Sequence, residues 1–136
     1  MNKIEQTLSI IKPDAVERNL DTDIKKIFLD NGFSIKKEKK IKIEKSEAEK
    51  FYKVHETKPF FNDLCAYLSS GPIVAMVLEK ENAVLANREL MGATNPKDAK
   101  DGTIRKKYGI SIDKNSVHGS DSIENAKIEI DFFFTD

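Results

Sequence analysis

The sequence predicts an α+β fold, specifically a ferredoxin-like βαββαβ arrangement in which helices pack on a four-stranded antiparallel sheet. Runs of strand length and strand composition occur at residues 7–11, 33–43, 73–78 and 117–120. Segments with the helical spacing of apolar residues lie between these runs. Strands and helices therefore alternate as β-α-β-(α-α)-β-α-β, which favours this fold class. Because the chain has 136 residues and no internal repeat or linker, we expect one domain over residues 1–136.

The first strand, residues 7–11, is rich in β-forming residues and ends before Pro13. Proline cannot continue a sheet ladder, so we expect a loop here that carries Lys12 and Asp14. A helix is predicted next, because apolar residues recur at i, i+4, i+7 and i+8 before Gly32: Leu20, Ile24, Ile27 and Phe28.

The second strand is predicted to be half exposed. Alternation places four apolar residues on one face, with lysines between them: Phe33, Ile35, Ile41 and Ile43. Ser46 and Glu49 have the spacing of a capping box, which predicts the start of a short helix. A second short helix is expected over residues 61–68, after a bend at Pro59.

Residues 73–78 form a near-continuous apolar run, which is typical of a buried central strand. A helix is predicted to open at Asn82 and to close at Gly92. The section that follows, as far as Asn115, is long, polar and rich in turns, and such loops often carry function. Residues 117–120 predict a short last strand, and Ser122 is expected to cap a final helix running toward Ile130.

Charge and cysteine content narrow the possible functions. Lysine plus arginine equals aspartate plus glutamate at 23 each, so bulk charge attracts neither nucleic acid nor an acidic membrane. The single cysteine, Cys65, excludes an internal disulfide framework and fits a reducing compartment. No signal peptide and no apolar run of membrane-spanning length is present. We therefore expect a soluble, cytoplasmic protein.

The segment at residues 115–121, NSVHGSD, holds one of the two histidines among small and polar residues. Gly119 lets a substrate approach His118 closely, and a neutral imidazole has a lone pair for attack or proton transfer. The same pattern also fits a histidine that only forms hydrogen bonds in a surface turn. The rival nucleophile is His55, whose neighbours lack a comparable glycine.

If the chain binds phosphate, the sequence predicts a site that is not a glycine-rich P-loop. The sequence has no Gly-x-x-x-x-Gly-Lys-Ser/Thr loop, which excludes a P-loop kinase. Arg88, Thr94 and Arg105 flank the long polar section and offer two guanidinium groups and a hydroxyl. Each of these residues is also compatible with an ordinary surface position.

Four motifs together resemble the nucleoside diphosphate kinase family. They are the sequences TLSIIKPDA at residues 7–15, RELMGATNP at residues 88–96, GTIR at residues 102–105, and NSVHGSD at residues 115–121. The resemblance extends from about residue 7 to residue 134. It implies a kinase that moves the γ-phosphate of a nucleoside triphosphate, mainly ATP, to a nucleoside diphosphate through a phosphorylated His118. Broad tolerance of base and sugar is implied as well.

The resemblance also implies a role for each remaining site residue. Glu129 would bond the other ring nitrogen of the nucleophile, and Ser120 would hold that carboxylate. Lys12 would act in catalysis by contacting both a sugar hydroxyl and the transferring phosphate, and Asn115 would make a second contact to the sugar. The other substrate-binding positions are Tyr52 and His55 near the phosphates, Phe60 and Leu64 at the base, and Arg88, Thr94, Arg105 and Gly119 around the phosphates.

The expected cofactor is Mg²⁺, which would arrive on the nucleotide phosphates, with Asp121 as a contact through water. No metal site built by the protein alone is expected, since two distant histidines and one cysteine lack ligand spacing. The partners implied by the resemblance are nucleoside triphosphates and diphosphates and further copies of the chain. Dimers would assemble into a tetramer or a hexamer, and the chain ending at Asp136 leaves that choice open. Neither nucleic acid nor a membrane is expected to bind.

Three alternatives remain open on the sequence. The first is a catalytically silent relative that binds nucleotides or partners. The second is an RNA-binding module, because ferredoxin-like sheets also serve that role, although the aromatic RNA-binding motif is missing. The third is a hydrolase that uses Cys65 and His118, for which the thiol lacks an electropositive setting.

Overall fold

The structure, a computed structural model, describes residues 4–112 and 114–134. The predicted domain limits, Met1 and Asp136, lie outside the described residues. The strands are β1 (Ile4–Ile11), β2 (Ser34–Ile41), β3 (Ile73–Glu81) and β4 (Val117–Gly119). The α-helices are α1 (Pro13–Glu17), α2 (Asp21–Asp30), α3 (Lys45–Phe51), α4 (Phe61–Leu68), α5 (Ala83–Met91), α6 (Ile104–Tyr108) and α7 (Ile123–Phe133). Short 3₁₀ turns occupy Lys53–His55 and Pro96–Asp98.

The strands form one sheet in the order β2-β3-β1-β4, and every neighbouring pair is antiparallel. The predicted α+β fold class is confirmed. The apolar run at residues 73–78 lies in β3, which has a neighbour on each side and is buried along most of its length. β4 pairs only with β1, so it forms one edge of the sheet.

Helices cover both faces of this sheet. On one face Met76 and Ile11 pack with Phe28 of α2 and with residues of α1, α5 and α6. On the other face Leu8 and Ala75 pack with residues of α3, α4 and α7. Because β1 and β3 contribute alternate residues to the two cores, their strands carry few exposed side chains. Among the described residues, no helix has the length and apolar character needed to cross a membrane.

The second strand corrects a prediction. The four apolar residues predicted to share one face of this strand lie on two different faces. Ile35 and Lys37 pair with consecutive residues of β3, so the residue between them is extra. A bulge of this kind reverses the side-chain alternation beyond it. Phe33 and Ile35 therefore pack on the α2 side of the sheet, whereas Ile41 and Ile43 pack on the α3 side.

Helix boundaries supply further corrections. Residues 13–17 form α1 rather than a loop, since Pro13 stands in the first turn, where its missing N–H costs no hydrogen bond. The predicted capping box of Ser46 and Glu49 is wrong, because α3 begins at Lys45 and the backbone N–H of Glu44 donates to Glu47 instead. The long polar section contains α6, which the sequence analysis missed. The predicted cap of the last helix is confirmed, as the Ser122 hydroxyl accepts from the N–H of Asn125.

The packing of α2 yields a stability prediction. Phe28 is fully buried, whereas its neighbour Leu29 is 55% exposed. We expect Phe28→Ala to lower the free energy of unfolding by about 3–5 kcal/mol, because it leaves a cavity in the core. The matched control, Leu29→Ala, should stay within about 0.5 kcal/mol of the parent chain. Urea denaturation followed by circular dichroism measures both, and equal losses would contradict this helix orientation.

Candidate active site

His118 lies in β4, where its ring meets a carboxylate from α7. Its Nε2 lies 2.9 Å from Oε1 of Glu129, and the Ser120 hydroxyl donates to the same oxygen at 2.9 Å. A carboxylate can only accept, so Nε2 carries the proton in this pair. The bond thereby fixes the tautomer and the ring orientation, and it leaves Nδ1 as the ring nitrogen with a lone pair.

Aromatic rings pack around this histidine. Phe51 and Tyr52 both meet the His118 ring edge-on, with centroids 5.3 Å and 6.2 Å away. Burial, and secondarily the charge of Glu129, raises the pKa of the Tyr52 hydroxyl well above its ordinary value. That hydroxyl therefore stays protonated at neutral pH and is available as a donor.

Two cavities meet beside His118, and both are lined by Gly119 and Asp121. The first has a volume of about 400 Å³, and its walls include Arg88, Thr94 and Arg105. The second, of about 150 Å³, is lined by residues that include His118, Glu129, Tyr52 and His55. The structure thus brings the predicted phosphate-binding residues and the predicted nucleophile to adjoining walls of one cleft.

Arg105 is held by backbone carbonyls rather than by a carboxylate. Its two terminal nitrogens donate to Gly92 O at 3.0 Å and to Val117 O at 2.9 Å. Burial, with a smaller contribution from Arg88, lowers the pKa of Arg105 to about 10. The guanidinium remains protonated at neutral pH, and its charge is not neutralised by these carbonyls. Such a site favours an anion.

Lys12 and Asn115 contact each other, although neither is among the residues that line the two cavities. Lys12 Nζ donates to Asn115 Oδ1 at 2.9 Å, and Asn115 Nδ2 donates to the carbonyl of Thr94 at 3.0 Å. Lys12 and Asn115 are both buried. Lys12 directly follows β1 and Asn115 lies just before β4, so the pairing of these two strands brings them into contact.

The predicted base-binding residues lie on the α3–α4 hairpin. Phe60 is 47% exposed, and its ring centroid lies 6.2 Å from that of His55, which in turn lies 6.2 Å from Tyr52. Leu64 is half-buried on α4. Neither Phe60 nor Leu64 is among the residues that line the two cavities, so the structure sets them at the margin of the cleft.

Two of the weighed alternatives lose support here. Cys65 is fully buried in the core, and burial raises the pKa of its thiol, so it is poorly suited to be a nucleophile. His55 lines the second cavity, but its ring packs between Tyr52 and Phe60.

Within residues 4–112 and 114–134, no group of three or more His, Cys, Asp and Glu side chains is arranged to hold a metal ion.

Sequence reasoning missed Asn87 of α5. This side chain is fully buried, and a Cβ added to Gly119 would lie 2.3 Å from its Nδ2. α5 therefore packs directly on the β4 backbone next to His118, and only glycine at position 119 leaves room for the Asn87 side chain. Helical spacing was the available signal, since Asn87 stands four residues from both Ala83 and Met91, which are core residues.

A histidine bonded to a carboxylate, with two arginines on the adjoining cavity wall, is the arrangement of a phosphotransferase that uses a histidine. The comparisons with known proteins identify the family. A family model described as nucleoside diphosphate kinase matches residues 5–136. The nucleoside diphosphate kinase of Nitratiruptor sp. is 60% identical over 131 residues, which is 96% of each chain. That of Wolinella succinogenes is 58% identical over 132 residues, covering 97% of this chain and 96% of its own.

Solved structures agree with these sequence matches. The Aquifex aeolicus nucleoside diphosphate kinase superposes with a TM-score of 0.96 at 41% identity, covering 97% of this chain and 96% of that one. The Encephalitozoon cuniculi enzyme gives a TM-score of 0.93 at 39% identity, covering 97% and 90%. The chain belongs to the nucleoside diphosphate kinase family, and the kinase activity inferred from the four motifs is confirmed.

The contact between α5 and β4 yields a prediction for Gly119. We expect Gly119→Ala to lower the free energy of unfolding by about 1–3 kcal/mol, since its Cβ would clash with Asn87 and Met91. Displacement of His118 should also reduce kcat by about 10- to 100-fold. Gly71→Ala is the control, because the nearest atom to its Cβ, on Pro13, is 3.6 Å away. Denaturation and steady-state assays compare the two, and near-normal activity of Gly119→Ala would contradict the close approach.

Proposed function

We propose that the kinase reaction proceeds in two steps through a phosphohistidine on His118. In the first step Nδ1 bonds to the γ-phosphorus, the bond from that phosphorus to the β–γ bridging oxygen breaks, and a nucleoside diphosphate leaves. In the second step a different nucleoside diphosphate attacks the phosphohistidine and regenerates free His118. Covalent catalysis divides one transfer into two similar steps. The observation that carries the proposal is the 2.9 Å bond from Nε2 to Glu129.

Glu129 has a specific task in this scheme. When Nδ1 forms a bond to phosphorus, positive charge develops on the imidazole, and a carboxylate at the opposite nitrogen stabilises it. Ser120 donates to the same carboxylate oxygen and keeps it aligned. Proton transfer away from Nε2 is not required, because Glu129 needs only to accept its hydrogen bond.

The transferring phosphoryl group would lie where the two cavities meet, because His118 lines the second cavity and the arginines line the first. Arg88, Arg105 and Thr94 supply charge and a hydroxyl from the first cavity. Tyr52 lines the second cavity, and its protonated hydroxyl would be a further donor to the phosphates. Because Ser120 N donates to β1, the alternation of an antiparallel ladder directs the N–H of Gly119 away from β1 and toward open space. That N–H is a fixed donor beside the nucleophile. Fixed donors of this kind stabilise charge as it redistributes in the transition state.

Lys12 would contact the transferring phosphate and a sugar hydroxyl, and Asn115 would bind the same hydroxyl. A hydroxyl that bonds to both would sit close to the leaving oxygen and assist its departure. Phe60, with Leu64 beside it, would stack on the base at the margin of the cleft, while His55, which lines the second cavity with Tyr52, would reach toward the phosphates. Because every base has a π face, stacking supports broad tolerance of the base.

Mg²⁺ is the proposed cofactor, and it fits the site because Asp121 places an exposed carboxylate where the two cavities meet. Mg²⁺ prefers phosphate oxygens, water and few protein carboxylates, and it would neutralise phosphate charge.

We further propose a homo-oligomer built from dimers, which is supported by the exposed Ile110 and Ile112 in the segment before β4. A cytoplasmic location is proposed from the free thiol of Cys65.

The decisive experiment traps the covalent intermediate. Incubation with γ-labelled ATP and magnesium should give an acid-labile phosphoprotein, and GDP should then remove the label as GTP. His118→Gln should take no label, because it lacks the nucleophilic nitrogen, whereas His55→Gln should still be labelled. Label on His118→Gln with none on His55→Gln would make His55 the nucleophile. A parent chain that takes no label but binds nucleotide would refute the two-step scheme in favour of the silent relative.

The role of Glu129 is tested separately. Glu129→Gln keeps the shape and an acceptor oxygen but removes the charge, so we expect kcat to fall by about 10²-fold while labelling of His118 persists. Glu124→Gln, an exposed carboxylate in the first turn of the same helix, should leave kcat within about twofold. Steady-state assays give kcat for the two variants, and rapid-quench measurement shows how fast each one takes up the label. Equal effects of the two substitutions would remove Glu129 from the mechanism.

A further inference from the structure

Asp14 of α1 is a buried carboxylate that accepts hydrogen bonds from three side chains. Tyr67 of α4 donates its hydroxyl to Oδ1, while the Ser116 hydroxyl donates to Oδ2 at 3.0 Å and Arg18 donates to Oδ2 at 3.2 Å. The N–H of Asp14 also donates to the Tyr67 oxygen at 2.9 Å. The cluster thus joins α1, α4 and the segment before β4, although none of its members lines the two cavities beside His118.

Ser116 adopts a backbone conformation that serine rarely takes. Its φ is +76°, in the left-handed region, and the residue is fully buried. Residues without glycine's freedom hold such angles only where surrounding contacts impose them. Here the contacts are the bond from its hydroxyl to Asp14 and the bond from Lys12 N to its carbonyl at 2.8 Å.

The strained residue stands next to a proposed sugar-binding residue. Asn115 precedes Ser116, and Lys12 lies two residues before Asp14, so the same carboxylate anchors the chain beside both members of the pair. Lys12 Nζ and Asn115 Oδ1 are 2.9 Å apart. A turn that relaxed at Ser116 would change that separation first.

We infer that Tyr67, Asp14 and Ser116 form a positioning network that sets the geometry of the Lys12–Asn115 pair around the nucleotide sugar. The inference rests on the proposed function, in which that pair binds the sugar hydroxyl. Tyr67 shares α4 with Leu64, so the network also connects the base-binding hairpin to the sugar site. None of the three is a catalytic residue in the sense of touching the nucleotide. Their effect passes through Lys12 and Asn115.

The protonation of Tyr67 agrees with this role. Burial first, and then the bond to Asp14, raises the pKa of the Tyr67 hydroxyl well above its ordinary value. The hydroxyl therefore remains a donor throughout the working pH range. Tyr67→Phe removes one hydroxyl from the network, leaves the ring in place and touches no residue of the phosphate-binding cavity.

The test compares substrates with and without sugar hydroxyls. Single-turnover phosphorylation of His118 is measured with ATP and with 2′,3′-dideoxy-ATP, on the parent chain and on Tyr67→Phe. We expect the parent to prefer ATP. Tyr67→Phe should slow the reaction with ATP by about 10-fold or more, which is the size expected for losing a bond to a charged group. Its rate with dideoxy-ATP should fall by a clearly smaller factor, since no hydroxyl is then available to be positioned and only the phosphate contact of Lys12 is disturbed.

Controls separate this role from a structural one. Tyr108→Phe removes a tyrosine hydroxyl elsewhere and keeps the backbone carbonyl that Arg18 bonds, so its rates should match the parent with both nucleotides. A general loss of folding or of phosphate binding would slow both nucleotides equally. If Tyr67→Phe does not fold, Asp14→Asn is measured in its place, because it keeps the shape of the side chain and removes the charge. The same selective loss with ATP is expected.

The outcomes distinguish the two proposals. No phosphorylation of the parent by either nucleotide would refute the two-step function and the inference with it. Equal parent rates with ATP and dideoxy-ATP would leave the phosphohistidine intact but overturn the inference. An equal slowing of both nucleotides by the network variants, or no slowing of either, would overturn the inference alone.

Discussion

The site depends on the pairing of three residues of β4 with the end of β1. Val117, His118 and Gly119 lie opposite Ile11, Ile10 and Ser9. The alternation of a strand then sends the His118 side chain toward α7 and turns the bare face of Gly119 toward α5. The carbonyl of Val117 points to the open edge, where it accepts from Arg105. One residue beyond the ladder, Lys12 bonds back to Ser116 through the backbone. A slip of one residue would reverse each of these directions.

The site contains a buried positive charge, whose unfavourable free energy of burial is offset by the packing of the surrounding core. Arg105 is 9% exposed and its partners are carbonyls, so burial lowers its pKa. Uncompensated burial of a cation is unfavourable for folding, because desolvation disfavours the charged form. It is favourable for binding phosphate, because a cation that has already lost water attracts an anion strongly. Glu129 differs, because it is half-buried and accepts hydrogen bonds from His118 and Ser120, and it is proposed to stabilise the charge that develops on His118.

Much of this arrangement could be predicted from the sequence. The strands were predicted from local periodicity, and the reactive histidine from its small, flexible neighbours. The bulge in β2 could not be predicted, because an extra residue is recognised only from how its neighbours pair with β3. The start of α3 was misplaced because Ser46 and Glu44 both offer a cap, and tertiary packing selects between them. Asp14 looked like a loop residue, since two of its three partners, Tyr67 and Ser116, come from positions far along the chain. Local patterns carry no such long-range information.

The site divides into rigid and adaptable parts, and this division follows from burial. Lys12, Arg105 and Asn115 are buried and bonded to the protein, as befits groups that are proposed to meet the transferring phosphate and the sugar in one geometry. Phe60, the proposed base-stacking residue, is exposed at the margin of the cleft. Exposed side chains can adjust to different nucleotides at little cost, because they lose few packing contacts when they move. The proposed tolerance of the base and the proposed strict geometry of phosphoryl transfer therefore have one physical origin, the gradient of packing from the sheet to the rim of the cleft.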